Sequence, residues 1–500
     1  MLGALTSLSL PPYNYLFINF FTLGLFFIFI FQKKKFAKKQ QPFVYGWFFG
    51  FGYFLTNLYW ITISLTFDEN YNYLIPLALV LIPSFLALFY GLATYCFFLI
   101  KIKKPLSNLF LFSLLFGLTE FLRGNILTGF PWNLIAYSFS NQIEILNITS
   151  IIGTYSFNLF CISLFTSPSI FILRENKKDI SICVAFLITT MSFYILGSQN
   201  LEKFNNQEVK KLDYKLRILS SNISIDRFYN NIDPITAIEE LIEISSPKKN
   251  EKIIFIWPEG IIPGISQDQL KEYKWLFENK FNENHLLAIG INSKEDKNKT
   301  VKYFNSLSIF DHDLNVINSY KKINLVPFGE FLPFEKTLKK FGLKSLTNNY
   351  NSYTKGRDRK IITIFNSLDY INLLPLICYE IMYSGYLSEL NDFDYIVNIS
   401  EDGWFGDSIG PYQHFAHTIF RSIESGKYTL RSTNNGISAI VNPLGKVLNQ
   451  IPIGFKGSIV LDTSKKTTDT LFSRLGNKMF IIVIFIYIFL IFSFNKLKNE

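Results

Sequence analysis

Seven near-continuous apolar runs dominate the chain, at about 13–31, 43–65, 73–100, 107–122, 145–172, 179–197 and 479–494. Each is close to the ~20 residues that an α-helix needs to cross the hydrocarbon of a bilayer, where backbone polar groups must be satisfied within the segment. The runs at 107–122 and 479–494 are marginal in length. Composition agrees: of 500 residues 49% are apolar and 17% aromatic, with 53 Phe, against 18% charged. A soluble chain of this size carries more charge. The opening MLGALTSLSLPP is too short to cross alone and lacks the basic start of a secretory signal peptide. It is expected to form a partial or re-entrant first helix, making seven or eight helices in all.

The loops between the runs supply a direction. QKKKFAKKQ follows the first run, KIKK the third and RENKKD the fifth, and NKLKNE ends the chain, whereas FDENYNY at 67–73 is acidic. Basic loops stay on the cytoplasmic side of a membrane. The sixth run then leaves the cytoplasm, and about 200–475 lies outside it before the last helix returns. Because the basic residues behind the net charge of +10 cluster in such loops, no nucleic acid is expected as a partner.

From about 213 the texture changes to short β-rich runs: YKLRILSSNIS, KIIFIWPEG, LLAIGINS, YFNSLSIFD, IITIFN, INLLPLICYE, DYIVNIS, GISAIVNP and KGSIVLD. Polar stretches such as DPITAIEELIEISS (233–246) and QHFAHTIFRSIESGKY (413–428) read as helices between them. Strands alternating with helices indicate an α/β domain, and strands that run apolar without alternation are covered on both faces. No internal repeat is visible, and NNYNSYTKGRDRK (348–360) reads as an exposed mobile loop. The expected organisation is a transmembrane bundle at 1–199, an extracytoplasmic domain at 213–465 and a closing helix at 476–495.

Three residues of that domain invite chemistry. Glu259, in FIWPEGIIPG, follows an apolar strand, where α/β folds carry functional groups. Lys322 lies in SYKKINLVPFGEFLPFE, eight residues before Glu330. Cys378 closes the most apolar strand and is followed by Tyr379 and Glu380. Taken singly, each has an ordinary reading as a turn carboxylate, a surface charge and a buried thiol. Together they offer what a nucleophilic thiol with a free pKa of ~8.5 requires, a base and a neighbouring cation. The other cysteines, Cys96, Cys161 and Cys183, lie in apolar runs, no CxxC pair occurs, and His414 and His417 form only a lone i, i+3 pair. Neither disulfide, metal nor cofactor is expected.

WPEG, KKINLVPFGEFLP and PLICYE, in that order, resemble the Glu-Lys-Cys motifs of the carbon–nitrogen hydrolase (nitrilase) superfamily. NISEDGWFGDSIGPYQH (398–414), LRSTNNGISAIVNPLGKV (430–447) and EFLRGNILTGFPWNLIAYS (120–138) are similar, more narrowly, to the apolipoprotein N-acyltransferase family. The resemblance implies a nitrilase-like αββα sandwich on a polytopic bundle. It places Glu259 as general base, Lys322 rather than Lys321 as oxyanion stabiliser and Cys378 as nucleophile, with Glu330, Tyr379 and Glu380 as supporting residues. The family's lipid-facing tryptophan has no counterpart in SNISIDRFYNN (221–231), where Phe228 or Tyr229 takes its place.

The implied reaction is ping-pong: Cys378 takes an acyl chain from a membrane phospholipid as a thioester, then passes it to the N-terminal amine of a diacylglyceryl-apolipoprotein. The implied enzyme is a multi-pass monomer of the bacterial inner membrane with its catalytic domain on the periplasmic side. GFPW (129–132) is expected at the lipid interface, as an aromatic belt or in direct lipid contact. Asp402, Trp404 and His414 read as a structural loop beside the pocket, and 345–358 as a lid. Two other readings compete. One is a membrane-tethered amidase or nitrilase with the same three residues; the other is a transporter or sensor, against which stands the scarcity of charge in the spans beyond Glu120 and Arg123.

Overall fold

The computed structural model describes residues 1–34, 41–228, 233–262, 264–297, 300–338, 340, 352–366, 369–387, 390 and 392–496. Among these, six helical segments are long and apolar enough to cross a membrane: Gln41–Phe67, Glu69–Leu99, Pro105–Asn125, Thr149–Leu173, Lys177–Asn205 and Lys478–Lys496. The run at 13–31 forms the shorter helix Ile18–Lys33. The opening segment forms only Leu2–Thr6 before a 3-10 turn, and Thr6 Oγ1 donates to Thr22 Oγ1 at 2.8 Å, pinning it to the bundle.

Phenylalanine fills the bundle interior. Phe26 stacks on Phe49 with centroids 4.1 Å apart, and Phe112 meets Phe116 at 4.4 Å, contacts that a flat ring makes at little entropic cost. Leu81, Leu187, Met191, Phe485 and Phe489 instead point outward, largely exposed. Apolar side chains in such number on helix exteriors suit lipid and not water. Glu120 and Arg123 pair at 3.6 Å inside the bundle, where Asn158 Nδ2 also donates to Glu120 Oε2 at 3.0 Å. The two intramembrane charges thus neutralise each other.

The strands are β1 (Val209–Ser220), β2 (Ile253–Ile256), β3 (His285–Lys297), β4 (Thr300–Phe310), β5 (Val316–Lys321), β6 (Ile362–Asn366), β7 (Asp369–Ile377), β8 (Tyr395–Glu401), β9 (Tyr428–Asn434), β10 (Ser438–Val441), β11 (Val447–Ile451) and β12 (Gly457–Lys465). They form two six-stranded sheets, ordered β12-β1-β2-β3-β4-β5 and β11-β10-β9-β8-β7-β6. In each, three central strands run parallel, with one antiparallel strand on one flank and two on the other. The two halves share a pairing scheme that no sequence repeat announces. Strands β5, β9 and β11 also escaped the β-rich runs read from sequence; β9, YTLRSTN, is buried throughout although mostly polar.

The sheets pack face to face, and β2 shows why its sequence is IIFI. Ile254 and Ile256 face the second sheet, sharing a core with Val397 and Ile399. Ile253 and Phe255 alternate to the other face, against Ile238 and Leu241 of helix Pro234–Ser245. Both faces are covered, so every position is apolar. Helix Gly410–Ser425 covers the second sheet and itself lies against the bundle, burying nearly all its residues. The layers are therefore the expected αββα.

A polar seam joins sandwich to bundle. Trp132 Nε1 donates to Gln413 Oε1 at 2.8 Å, and Tyr383 Oη donates to the Thr128 carbonyl at 2.9 Å. Helix Thr149–Thr166 is broken at Gly153, whose φ of 75° lies in the left-handed region and whose missing Cβ leaves room for the Phe472 ring. The break frees the amide of Thr154, and Glu424 Oε1 of the sandwich accepts it at 2.7 Å, as an N-cap would.

Two expectations need correction. Trp132 is 3% exposed, packed against Trp60, Phe405 and His414, so it is a peg between bundle and sandwich and not a belt residue at the lipid surface. Of the expected lid, 345–351 lies outside the described residues. The remainder is tied down: Tyr353 N donates to Glu330 O at 2.8 Å, Thr354 N to Tyr303 O at 2.7 Å and Gly356 N to Lys322 O at 2.8 Å.

Candidate active site

Glu259, Lys322, Glu330 and Cys378 come from four separate segments and meet at one end of the sandwich. Glu259 follows β2, Lys322 directly follows β5, and Cys378 directly follows β7. Lys322 Nζ stands 3.1 Å from Glu259 Oε1 and 3.0 Å from Glu330 Oε1, at 1% exposure. Lys321, one residue earlier, turns away to an exposed pairing with Glu295, because successive strand residues face opposite sides. Burial opposes the Lys322 ammonium, yet the Glu259 and Glu330 carboxylates hold its pKa well above the ordinary lysine value.

Asn305, on β4, was not singled out in the sequence. Its Nδ2 donates to Glu259 Oε1 at 2.6 Å and to Glu330 Oε1 at 2.7 Å. Only the NH2 end of an amide suits two carboxylate oxygens. Its signal was modest: an amide in the otherwise core-forming run YFNSLSIF. The free oxygens are also taken, Glu259 Oε2 by the backbone N–H of Glu401 at 3.0 Å and Glu330 Oε2 by that of Val326 at 2.8 Å. Both carboxylates are thereby fixed to within one rotamer.

Cys378 has φ 53°, a left-handed conformation uncommon outside glycine, and opens the 3-10 turn Cys378–Met382. This sharp turn at a strand end aims the side chain out of the sheet. Burial and the Glu259 carboxylate push the thiol well above its ordinary range, against the Lys322 ammonium and the polar hydroxyl of Ser400. At neutral pH the group is therefore a thiol, and it can become a nucleophile only where a base takes its proton.

Tyr379 Oη donates to the Leu325 carbonyl at 2.7 Å, and its ring lies 5.7 Å from Lys322 Nζ. Glu380 turns away from the sulfur and takes backbone N–H groups of Ile377, Ile323 and Asn324 at 2.9 to 3.1 Å. It braces two segments of the site. Gly356 is the third brace: a Cβ there would run into the Lys321 carbonyl oxygen.

Asp402 and His414 are fully buried in contact with each other and with Arg431, behind the cysteine; they read as structure. Phe228 stacks on Trp404 with centroids 5.4 Å apart and lies against Gly260, next to Glu259. Tyr229 lies outside the described residues. Among the described residues no three His, Cys, Asp or Glu side chains gather as metal ligands would.

Two buried carboxylates, a buried cation and a thiol in a left-handed turn are parts from which acyl transfer through a thioester can be built. Family models match in the same order as the architecture: apolipoprotein N-acyltransferase N-terminal domain over residues 2–165 and carbon-nitrogen hydrolase over 235–469. Among solved structures, yeast (Saccharomyces cerevisiae) Nit3, a nitrilase-superfamily member, is similar at 18% identity over 50% of this chain and 90% of that chain, with a TM-score of 0.34. Curated relatives called apolipoprotein N-acyltransferase include one from Rhizobium leguminosarum, 30% identical over 91% of this chain and 88% of its own length. Another, from Rickettsia typhi, is 30% identical over 97% and 96%. Relatives at that identity along nearly their whole length, with both family models on bundle and sandwich, show that the chain belongs to the apolipoprotein N-acyltransferase family.

Proposed function

We propose that the protein N-acylates the N-terminal S-diacylglyceryl-cysteine of apolipoproteins, with a membrane phospholipid as acyl donor. Glu259 takes the thiol proton of Cys378, and the sulfur attacks the ester carbonyl while the Lys322 ammonium stabilises the oxyanion. The ester C–O bond breaks, the lysophospholipid leaves with the proton returned by Glu259, and a thioester remains. The lipoprotein α-amine then attacks the thioester. Glu259 accepts its proton and passes it to the departing thiolate, releasing the amide and restoring the thiol.

The observation that carries lipid substrates is the position of the cysteine turn. Tyr383, one residue past it, donates to the Thr128 carbonyl in the loop that follows a membrane helix. A hydrolase of small soluble amides needs no such attachment. Phe228 is assigned to the lipid-facing wall. The loop charges support a periplasmic site on the inner membrane, and one chain supplies every group named, so the working unit is a monomer.

Intact-protein mass spectrometry after incubation with phospholipid tests the scheme. An acyl mass on Cys378, removed by a diacylated lipopeptide that becomes triacylated, is expected. Release of free acid without lipopeptide acylation, or full activity of Cys378→Ala, would sink it.

A further inference from the structure

Beneath Cys378 lies a set of buried polar groups to which the acyl-transfer scheme assigns no part. β8 runs parallel to β7 with Ile399 opposite Ile377, so Ser400 and Cys378 each follow the last matched pair, β7 ending there and β8 running on to Glu401. The Ser400 hydroxyl donates to Asp402 Oδ1 at 2.7 Å. Asp402 is fully buried, with Arg431 Nη2 at 2.8 Å from one oxygen and His414 Nδ1 at 2.9 Å from the other. Arg431 also donates to Asn398 Oδ1, and Asn398 Nδ2 donates to the Leu376 carbonyl at 2.9 Å and the Cys378 carbonyl at 3.2 Å. One guanidinium thus steadies two arms, one on the nucleophile's backbone and one leading to Ser400.

We propose that Ser400, aimed by Asp402 and Arg431, is a second polar partner of the nucleophile: its hydroxyl positions the Cys378 sulfur and stabilises the thiolate at attack and again at departure. The inference rests on Cys378 being the nucleophile. Glu259 and Asp402 both disfavour the thiolate, whereas Lys322 favours it. A hydroxyl is both donor and acceptor. While the thiol is protonated Ser400 donates to Asp402; once Glu259 has taken the thiol proton, the same hydroxyl turns to the sulfur. Asp402 keeps its pairing with Arg431 and His414 throughout. Burial opposes that charge, but Arg431 and His414 hold the carboxyl below the ordinary aspartate range.

The test uses the full chain in detergent. Iodoacetamide labelling of the Cys378 peptide is followed by mass spectrometry as a rate at about pH 7 and 8, below even a free thiol's midpoint, beside acylation by mixed micelles of phosphatidylethanolamine and phosphatidylglycerol. Ser400→Ala is expected to slow labelling about tenfold at both pH values and to slow acylation about tenfold, the size of one hydrogen bond to a charged sulfur. Ser400→Thr and Ser400→Val form a second comparison differing in the hydroxyl, with threonine expected to keep the wild-type labelling rate. Wild-type labelling and acylation in Ser400→Ala, or equal behaviour of the Thr and Val variants, would overturn the proposal. Absence of acylation in the wild type overturns the proposed function instead, and labelling still decides for or against Ser400.

Discussion

Glu380 Oε1 accepts the backbone N–H of Ile323 at 3.0 Å, tying the turn that Cys378 opens to the residue after Lys322. The same oxygen takes Asn324 N at 3.1 Å, and Oε2 takes Ile377 N at 2.9 Å. The carboxylate thus holds Cys378 and Lys322 in register across two sheets. Glu380→Gln replaces one acceptor oxygen by a donor and leaves a buried N–H without a partner. We expect kcat to fall about 10- to 100-fold with little change in KM, as for the loss of a charge-assisted hydrogen bond that orients catalytic groups. A rise in KM at constant kcat would assign Glu380 to substrate binding.

Lys322 lies between two buried carboxylates, and its pKa in the fold is raised above the ordinary 10.5. A raised value means that its contribution to stability is full below 10.5 and is lost only as pH climbs through the folded value. Across the neutral range the ammonium is therefore always present. Lys322→Met removes it and leaves Glu259 and Glu330 facing each other, at a cost of about 3–5 kcal/mol at neutral pH. Like charges without a cation take up a proton, so part of that loss should return toward about pH 5. Thermal unfolding of wild type and variant at both pH values measures this, and an equal difference at the two would contradict it.

Trp132 and Gln413 join bundle to sandwich through one hydrogen bond of 2.8 Å inside an aromatic cluster. Trp132→Ala should cost about 3–5 kcal/mol, mostly as cavity, and Gln413→Ala about 1 kcal/mol. The two losses should fall short of additive in the double variant, read from melting in detergent. Full additivity would mean that the two side chains do not act as one joint.

The apolar runs announced the bundle because crossing a bilayer is a local requirement: each segment must be long enough and must satisfy its own backbone. The sandwich was legible where strands alternate or run apolar, as in the IIFI of β2. It was not legible in β9, where Arg431, Thr433 and Asn434 are buried and find their partners on other strands. Nor was the matching of the two sheets visible, since pairing order is set by packing and not by repeated residues.

The site divides in the same way. Residue types and family motifs are enough to single out Glu259, Lys322, Glu330 and Cys378. Asn305 between the two carboxylates, the amide of Glu401 on Glu259, Gly356 against the Lys321 carbonyl and the Arg431 arms under Cys378 could be found only in three dimensions. By itself the sequence determined a multi-pass bundle carrying an α/β domain with a thiol, a base and a cation. The tertiary structure decided which oxygen each nitrogen meets, because a hydrogen bond depends on ångströms between groups brought together from distant parts of the chain.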